Sequence, residues 1–197
     1  MTALARSAAP LLAADGGANH LAQLGLVPEA VIGDLDSIEP RIRDRIGAEA
    51  LVHRPDQDRT DLDKALSYAF DELGLGRLAV IAALGGRTDH DLGNLGLLAR
   101  RAMGERLCFE GPEYRVMAVR GGASLEARPG ETWSFWTYDP AVSVSLEGVR
   151  WPVRNAPLDA AGRPSISNVA VEERVRVEAL DGPVVAMRHL GNEPMVM

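Results

Sequence analysis

The chain has 197 residues, 46% of them apolar and 25% charged, with a formal net charge of −7. That length suits one large or two small domains around a sizeable core. It contains no apolar run long enough to span a membrane, and the acidic balance offers no basic stripe for nucleic-acid phosphates. The single cysteine, Cys108, rules out an intramolecular disulfide and fits a reducing, cytoplasmic setting. The opening Met1 to Arg6 lacks the apolar run of a secretory signal.

Taken in order, apolar residues from Ala9 to Ala14 predict a strand that stops at Asp15-Gly16-Gly17. A short helix follows, with Ala18, Leu21, Ala22 and Leu24 at helical spacing and Gly25 as its stop. Ala30-Val31-Ile32 is a second strand and delivers Gly33-Asp34-Leu35-Asp36-Ser37. Pro40 suits the first turn of a helix closed by Gly47, and Leu51-Val52-His53 is a third strand. Leu62, Ala65, Leu66, Ala69, Phe70 and Leu73 trace one buried helix face. Thr60 and Asp63 form a capping box at its start, and Gly74 ends it. The continuous run Leu78 to Leu84 predicts a strand covered on both faces, halted at Gly85-Gly86-Arg87-Thr88-Asp89. A helix with Leu92, Leu95, Leu97, Leu98 and Met103 comes next. Alternating strands and helices predict a parallel sheet flanked by helices over residues 1–111. Such sheets gather ligands at the carboxyl ends of their strands, and all four acidic clusters fall there.

From Gly111 the helical period disappears. Short alternating runs take over at Tyr114–Val119, Trp133–Tyr138, Val142–Leu146, Val175–Val177 and Val184–Ala186. Gly121-Gly122, Pro129-Gly130, Asp139-Pro140 and Asp181-Gly182 lie between them as turns. Residues 112–197 are therefore expected to form an antiparallel all-β sandwich or barrel.

The chemistry lies in the acids. In a continuing strand Asp34 and Asp36 point to one side and converge on one cation. Oxygen-only ligands at a strand end suit magnesium bridging to phosphate. Asp56, Asp58, Asp61 and Asp63 crowd the start of one helix. A first-turn acid is favoured by the helix dipole alone, yet four close carboxylates repel unless a cation holds them. Asp61 is thus read as a third metal ligand. The Gly85-Gly86 turn at a helix start presents backbone N–H groups to an anion, and Arg87 adds a fork for phosphate oxygens. Asp89 has three open roles: orienting Arg87, binding a ribose, or capping the helix. Trp151 either fills a core or cradles a flat cationic heterocycle beside Ser165, Ser167 and Asn168. No Ser/His/Asp or Cys/His nucleophile emerges, and Cys108 reads as inert.

In order and spacing, Ala14-Asp15-Gly16-Gly17-Ala18, the Asp34/Asp36 loop, Asp56-Gln57-Asp58-Arg59-Thr60-Asp61 and Gly85 to His90 resemble thiamin pyrophosphokinase. The Gly148/Trp151 and Ser165/Ser167/Asn168 elements extend the likeness into the second half. The resemblance implies an α/β catalytic domain, a C-terminal β-sandwich, and a homodimer whose active sites use both subunits. It implies transfer of the terminal diphosphate of ATP to the hydroxyethyl oxygen of thiamin, giving thiamin diphosphate and AMP. Asp34, Asp36 and Asp61 would hold magnesium. Asp15, Gln57, Thr60, Arg87 and Asp89 would line the ATP site, with Arg87 also in the catalytic set. Trp151, Ser165, Ser167 and Asn168 would contact thiamin, across the dimer interface. The chain departs from the family pattern in two places. About a dozen residues precede Ala13, so the family's first strand and part of the nucleotide pocket are expected to be missing or altered. Val169 also stands where an acid is common. A phosphatase with an aspartate nucleophile is the rival enzyme, disfavoured by Ile38 where Thr or Val is wanted and by a sole lysine, Lys64, inside a helix. A non-catalytic nucleotide or thiamin sensor is the rival from another class.

Overall fold

A computed structural model describes residues 2–191 and divides the chain into two compact units, Met1–Gly76 and Arg77–Met197. In the first unit the order is α1 (Thr2–Ser7), β1 (Leu12–Ala14), α2 (Gly17–Gln23), β2 (Ala30–Gly33), α3 (Pro40–Ile46), β3 (Leu51–His53) and α4 (Asp61–Ser67). The three strands form a parallel sheet in the order β1-β2-β3. All four residues of β2 are buried, as a central strand requires. On one side Ala18, Leu21, Val31, Ile42 and Ile46 make a single core, joining α2 and α3 to the sheet. On the other, Ala65 of α4 packs with Ala30 and Ile32. Pro40 occupies the first turn of α3, as predicted.

The predicted Leu62–Leu73 helix is real but changes pitch. After Ser67 the chain widens into a π-type turn, Tyr68–Glu72, and Gly74 ends it at φ +64°. A π turn shifts the following residues around the axis, so Phe70 is half-buried and Leu73 is exposed. The buried positions of α4 include Asp63 and Lys64, which the apolar pattern had not marked.

The second unit contains β4 (Leu78–Ile81), α5 (Thr88–Arg101), β5 (Leu107–Glu110), β6 (Tyr114–Glu126), β7 (Thr132–Trp136), β8 (Ser143–Glu147), β9 (Val153–Pro157), β10 (Ser165–Val169) and β11 (Arg174–His189). The path runs β10-β7-β11-β6-β5-β4, with β8 on β11 and β9 on β8. β4 and β5 pair in parallel, whereas β5 and β6 pair antiparallel. The compact boundary therefore falls ahead of β4. Only four residues of the predicted Leu78–Leu84 strand are extended, because Ala82 and Gly85 turn the chain at positive φ.

Gly121-Gly122 and Asp181-Gly182 are not turns between strands. Both lie within the long antiparallel pair β6/β11: Gly121 and Gly122 pair with Ala179 and Glu178, and Asp181-Gly182 fall in the extra residues where the register slips between Ala179 and Pro183. A bulge bends a strand pair and increases its twist. One end of β11 pairs with β8 and the other with β7. Trp133 and Phe135 from β7 then share a core with Val144 and Leu146 from β8, and the two rings stack at 5.9 Å. The architecture is an α/β part with a parallel sheet and a large, mostly stranded part. No helix of the described residues is long and apolar enough to cross a membrane.

Candidate active site

In the first unit, β1 and β2 end side by side, and the Asp15 amide extends their pairing to Ile32 at 2.9 Å. The Asp15 side chain is 2% exposed. Its Oδ2 accepts the Ser37 amide at 3.2 Å, while Oδ1 is buried with no hydrogen-bond partner. Burial pushes its pKa up, and the charges of Asp61 and Asp34 add to the rise against the Ser37 bond.

Asp34 and Asp36 do converge, by a route the alternation rule did not supply. Leu35 takes a left-handed conformation, φ 66°, and buries its side chain with Val31 and Ile38. The chain thus turns at once after β2, and both carboxylates face the end of β1. Each of Asp15, Asp34 and Asp36 offers an oxygen within 4.8 Å of the others. Asp34 accepts from Gln57 Nε2 at 3.0 Å and from the Asp36 amide at 3.4 Å. The Gln57 bond is the main reason its pKa is lowered.

Asp61 opens α4, whose N-cap is Thr60, accepting the Asp63 amide at 3.3 Å. Asp61 stands beside Asp15 across Gly33. A Cβ at Gly33 would lie 2.8 Å from the Asp15 Cβ and 3.0 Å from Asp61 Oδ1, so no larger residue fits between them. Asp61 Oδ1 is taken by the Lys64 ammonium at 2.9 Å. Nearby, Asp56 is held below the usual carboxylate range by the Arg59 guanidinium at 2.8 Å.

A site of three converging carboxylates, one with a buried and unpartnered oxygen, fits a hard divalent cation. The donors are all oxygen, and a cation would supply Oδ1 of Asp15 with the partner the protein does not.

In the second unit Arg87 and Asp89 form a forked pair at 3.1 and 2.6 Å on the exposed start of α5. The pair holds the Asp89 pKa at about 2. Of the three roles open to Asp89, the geometry displays the orienting one. The Gly85 amide, expected to face an anion, is engaged by Asp91 at 3.0 and 3.2 Å. Trp151 is 56% exposed and is not core, with the Arg150 guanidinium 5.6 Å from its ring centre. Asn168 lies beneath it, 1% exposed. Its Oδ1 accepts the Trp151 amide at 3.1 Å, and its Nδ2 donates to the Trp151 carbonyl at 2.8 Å and to Ser165 Oγ at 3.1 Å. Ser167 is left-handed, φ 56°, and its amide donates to Ser134 Oγ at 3.1 Å.

The family model described as "Thiamin pyrophosphokinase, catalytic domain" matches residues 1–109, and that for the vitamin B1 binding domain matches 123–184. The chain belongs to the thiamin pyrophosphokinase family. That family's reaction is the ATP-dependent pyrophosphorylation of thiamin. Thiamine pyrophosphokinase 1 of Arabidopsis thaliana is 30% identical over 199 residues, spanning 85% of this chain and 73% of that protein. The Bacillus subtilis thiamine pyrophosphokinase is 29% identical over 182 residues, 88% of this chain and 84% of that one. The crystal structure of the Bacillus subtilis thiamine pyrophosphokinase superposes with TM-score 0.79 at 22% identity, covering 96% and 92% of the two chains.

Within this thiamin pyrophosphokinase fold the first unit brings together Asp15, Asp34, Asp36 and Gln57, with Asp61, expected as the third metal ligand, beside Asp15 but outside the three carboxylates that converge. The second brings together Trp151, Ser165 and Asn168. Asp15, expected in the nucleotide site, also lies within reach of Asp34 and Asp36, as its position at the end of the strand next to β2 allows. Two neighbours of the expected residues were not among them. Lys64 and Asp91 were passed over, and only their spacing from Asp61 and Gly85 hinted at them.

Proposed function

We propose that this protein transfers the diphosphate group of ATP to the hydroxyl of thiamin, releasing thiamin diphosphate and AMP. The observation that carries the reading is the convergence of Asp15, Asp34 and Asp36, with the buried Oδ1 of Asp15 unpartnered, in a chain of this family. Asp34, Asp36 and Asp61 hold Mg2+ in this reading, and Asp15 joins them as a ligand. Bound there, the ion supplies the positive charge that offsets the triphosphate. Phosphoryl-type transfer depends on positioning and charge neutralisation, so the lack of a protein nucleophile in the sequence reading is consistent with it.

The other residues orient and bind. Gln57 fixes Asp34 through its 3.0 Å bond. Gln57, Thr60, Arg87 and Asp89 line the ATP site, where Arg87 exchanges Asp89 for phosphate oxygens. The exposed ring of Trp151 stacks on the thiamin heterocycle, with Ser165 and Ser167 beside it. Asn168 fixes the Trp151 backbone from inside the fold. The hydroxyethyl oxygen of thiamin attacks the β-phosphorus, the bond to the α-phosphate oxygen breaks, and AMP leaves while the hydroxyl proton passes to a carboxylate. Residues 1–111 form the nucleotide- and metal-binding part. Residues 112–197 form the thiamin-binding and dimerisation part of a cytoplasmic homodimer. Incubation with ATP, Mg2+ and thiamin, with AMP and thiamin diphosphate as readouts, tests the proposal. Both products at equal rates support it. Ligand binding without product favours a sensor, and free phosphate alone favours a phosphatase.

A further inference from the structure

Lys64 is the chain's sole lysine, and it is 4% exposed. Burying an ammonium is costly unless a counter-charge and hydrogen bonds meet it. Here the counter-charge is Asp61, one turn earlier on α4, whose Oδ1 receives Nζ at 2.9 Å. Apart from Arg59, which pairs with Asp56 at 2.8 Å, the environment is acidic. Asp15 lies across Gly33 from Asp61, and Asp34 and Asp56 both sense the Lys64 charge. A carboxylate has two oxygens, and Lys64 has claimed only one of Asp61's. An ammonium is also a compact point charge, unlike the fork of an arginine.

We propose that Lys64 is a positioning residue that acts through Asp61: its buried ammonium fixes Oδ1, leaves Oδ2 for the divalent cation, and serves as the built-in counter-ion of the acid cluster when no cation is bound. The proposal rests on the metal reading of that site. Two consequences follow. The fold tolerates Asp15, Asp34 and Asp61 as neighbours without metal because one positive charge is sealed among them, while Arg59 meets Asp56. The same charge also opposes a second cation, so the free protein binds metal less tightly than its carboxylates alone would.

The test is Mn2+ binding to the full chain in the absence of nucleotide, by calorimetric titration, for wild type, Lys64→Met and Lys64→Arg. Lys64→Met should bind Mn2+ about threefold or more tightly, because a like charge is gone. Its Tm should also rise more on Mn2+ addition than the wild type's does. Lys64→Arg should stay within about twofold of wild type, because the charge is kept. In steady state Lys64→Met should lose kcat while the KM for thiamin stays unchanged, since only the metal side is disturbed. Unchanged or weaker Mn2+ binding in Lys64→Met, with wild type binding normally, overturns the role of Lys64 alone. No Mn2+ binding by wild type overturns the metal reading and this proposal together. Should Lys64→Met not fold, Lys64→Gln removes the charge while keeping a donor, and the same threefold criterion decides.

Discussion

The acid site of the first unit and the tryptophan site of the second are built on opposite terms. Around Trp151 the polar groups are satisfied: the Asn168 amide spends its donors and its carbonyl oxygen on backbone and on Ser165. Around Asp15 they are not, since Oδ1 is buried without a partner and neighbouring acids push its pKa up. A site for an aromatic ligand can be complete in advance, because stacking needs only a fixed ring. A site for a cation cannot be, because its carboxylates repel until the ion arrives. Under the proposed function the difference separates residues that hold the fold from residues that hold a ligand, and each can be broken in its own way.

The largest effect is expected from Asp34→Asn or Asp36→Asn. Turnover should fall about a thousandfold or more, as when a metal-dependent charge stabiliser is lost, with Tm in EDTA unchanged or raised. A steady-state assay beside a thermal melt checks both halves. The next is Asn168→Ala, which leaves the Trp151 backbone groups unmet. A loss of about 1–3 kcal/mol in denaturant unfolding is expected for buried unpaired polar groups. Trp151→Ala, by contrast, should leave stability intact and raise the KM for thiamin about tenfold, on the scale of a lost stacking contact.

Asp15 gives a pH test whose sign runs against the usual carboxylate. Its folded pKa is raised above the unfolded value. The metal-free fold is therefore favoured when Asp15 is protonated, and that contribution is lost as pH rises past the ordinary carboxylate range. In EDTA, Asp15→Asn should melt higher than wild type at pH 7, and the gap should narrow as pH falls through the carboxylate range and Asp15 takes up its proton. A gap that is constant with pH would show that folding leaves the Asp15 pKa where it is in the unfolded chain, and a variant that melts lower than wild type at pH 7 would show that the fold favours the charged group. The smallest effect concerns Arg87 and Asp89. Both are exposed, so Arg87→Ala should raise the KM for ATP while leaving Tm unchanged, because a surface pair contributes little.

How far the sequence reaches is visible in these same residues. The four acidic loops, the Thr60 cap and the alternation of strands and helices are local patterns, and each has its counterpart in the structure. The Asp34/Asp36 loop was located correctly, but its shape was not. A left-handed Leu35 depends on the apolar pocket that receives its side chain, and that pocket comes from α3 and β2 together. Lys64 was assigned to a helix but not to its buried side, because the ion pair with Asp61 offsets a cost that an apolar pattern registers only as an exclusion. The burial of Asn168 was not legible either, because the Trp151 backbone it bonds lies 17 residues away in sequence. Gly121-Gly122 and Asp181-Gly182 signal a turn in any single strand, and only the pairing of β6 with β11 makes the first a regular stretch and the second part of a bulge.

The most direct test of the central claim is a crystal grown with Mn2+ and a non-hydrolysable ATP analogue, read by anomalous diffraction. A peak bonded to oxygens of Asp15, Asp34 and Asp36 and to the nucleotide phosphates is the predicted result. A peak bonded only to the nucleotide, with those three carboxylates turned away from it, would contradict the account.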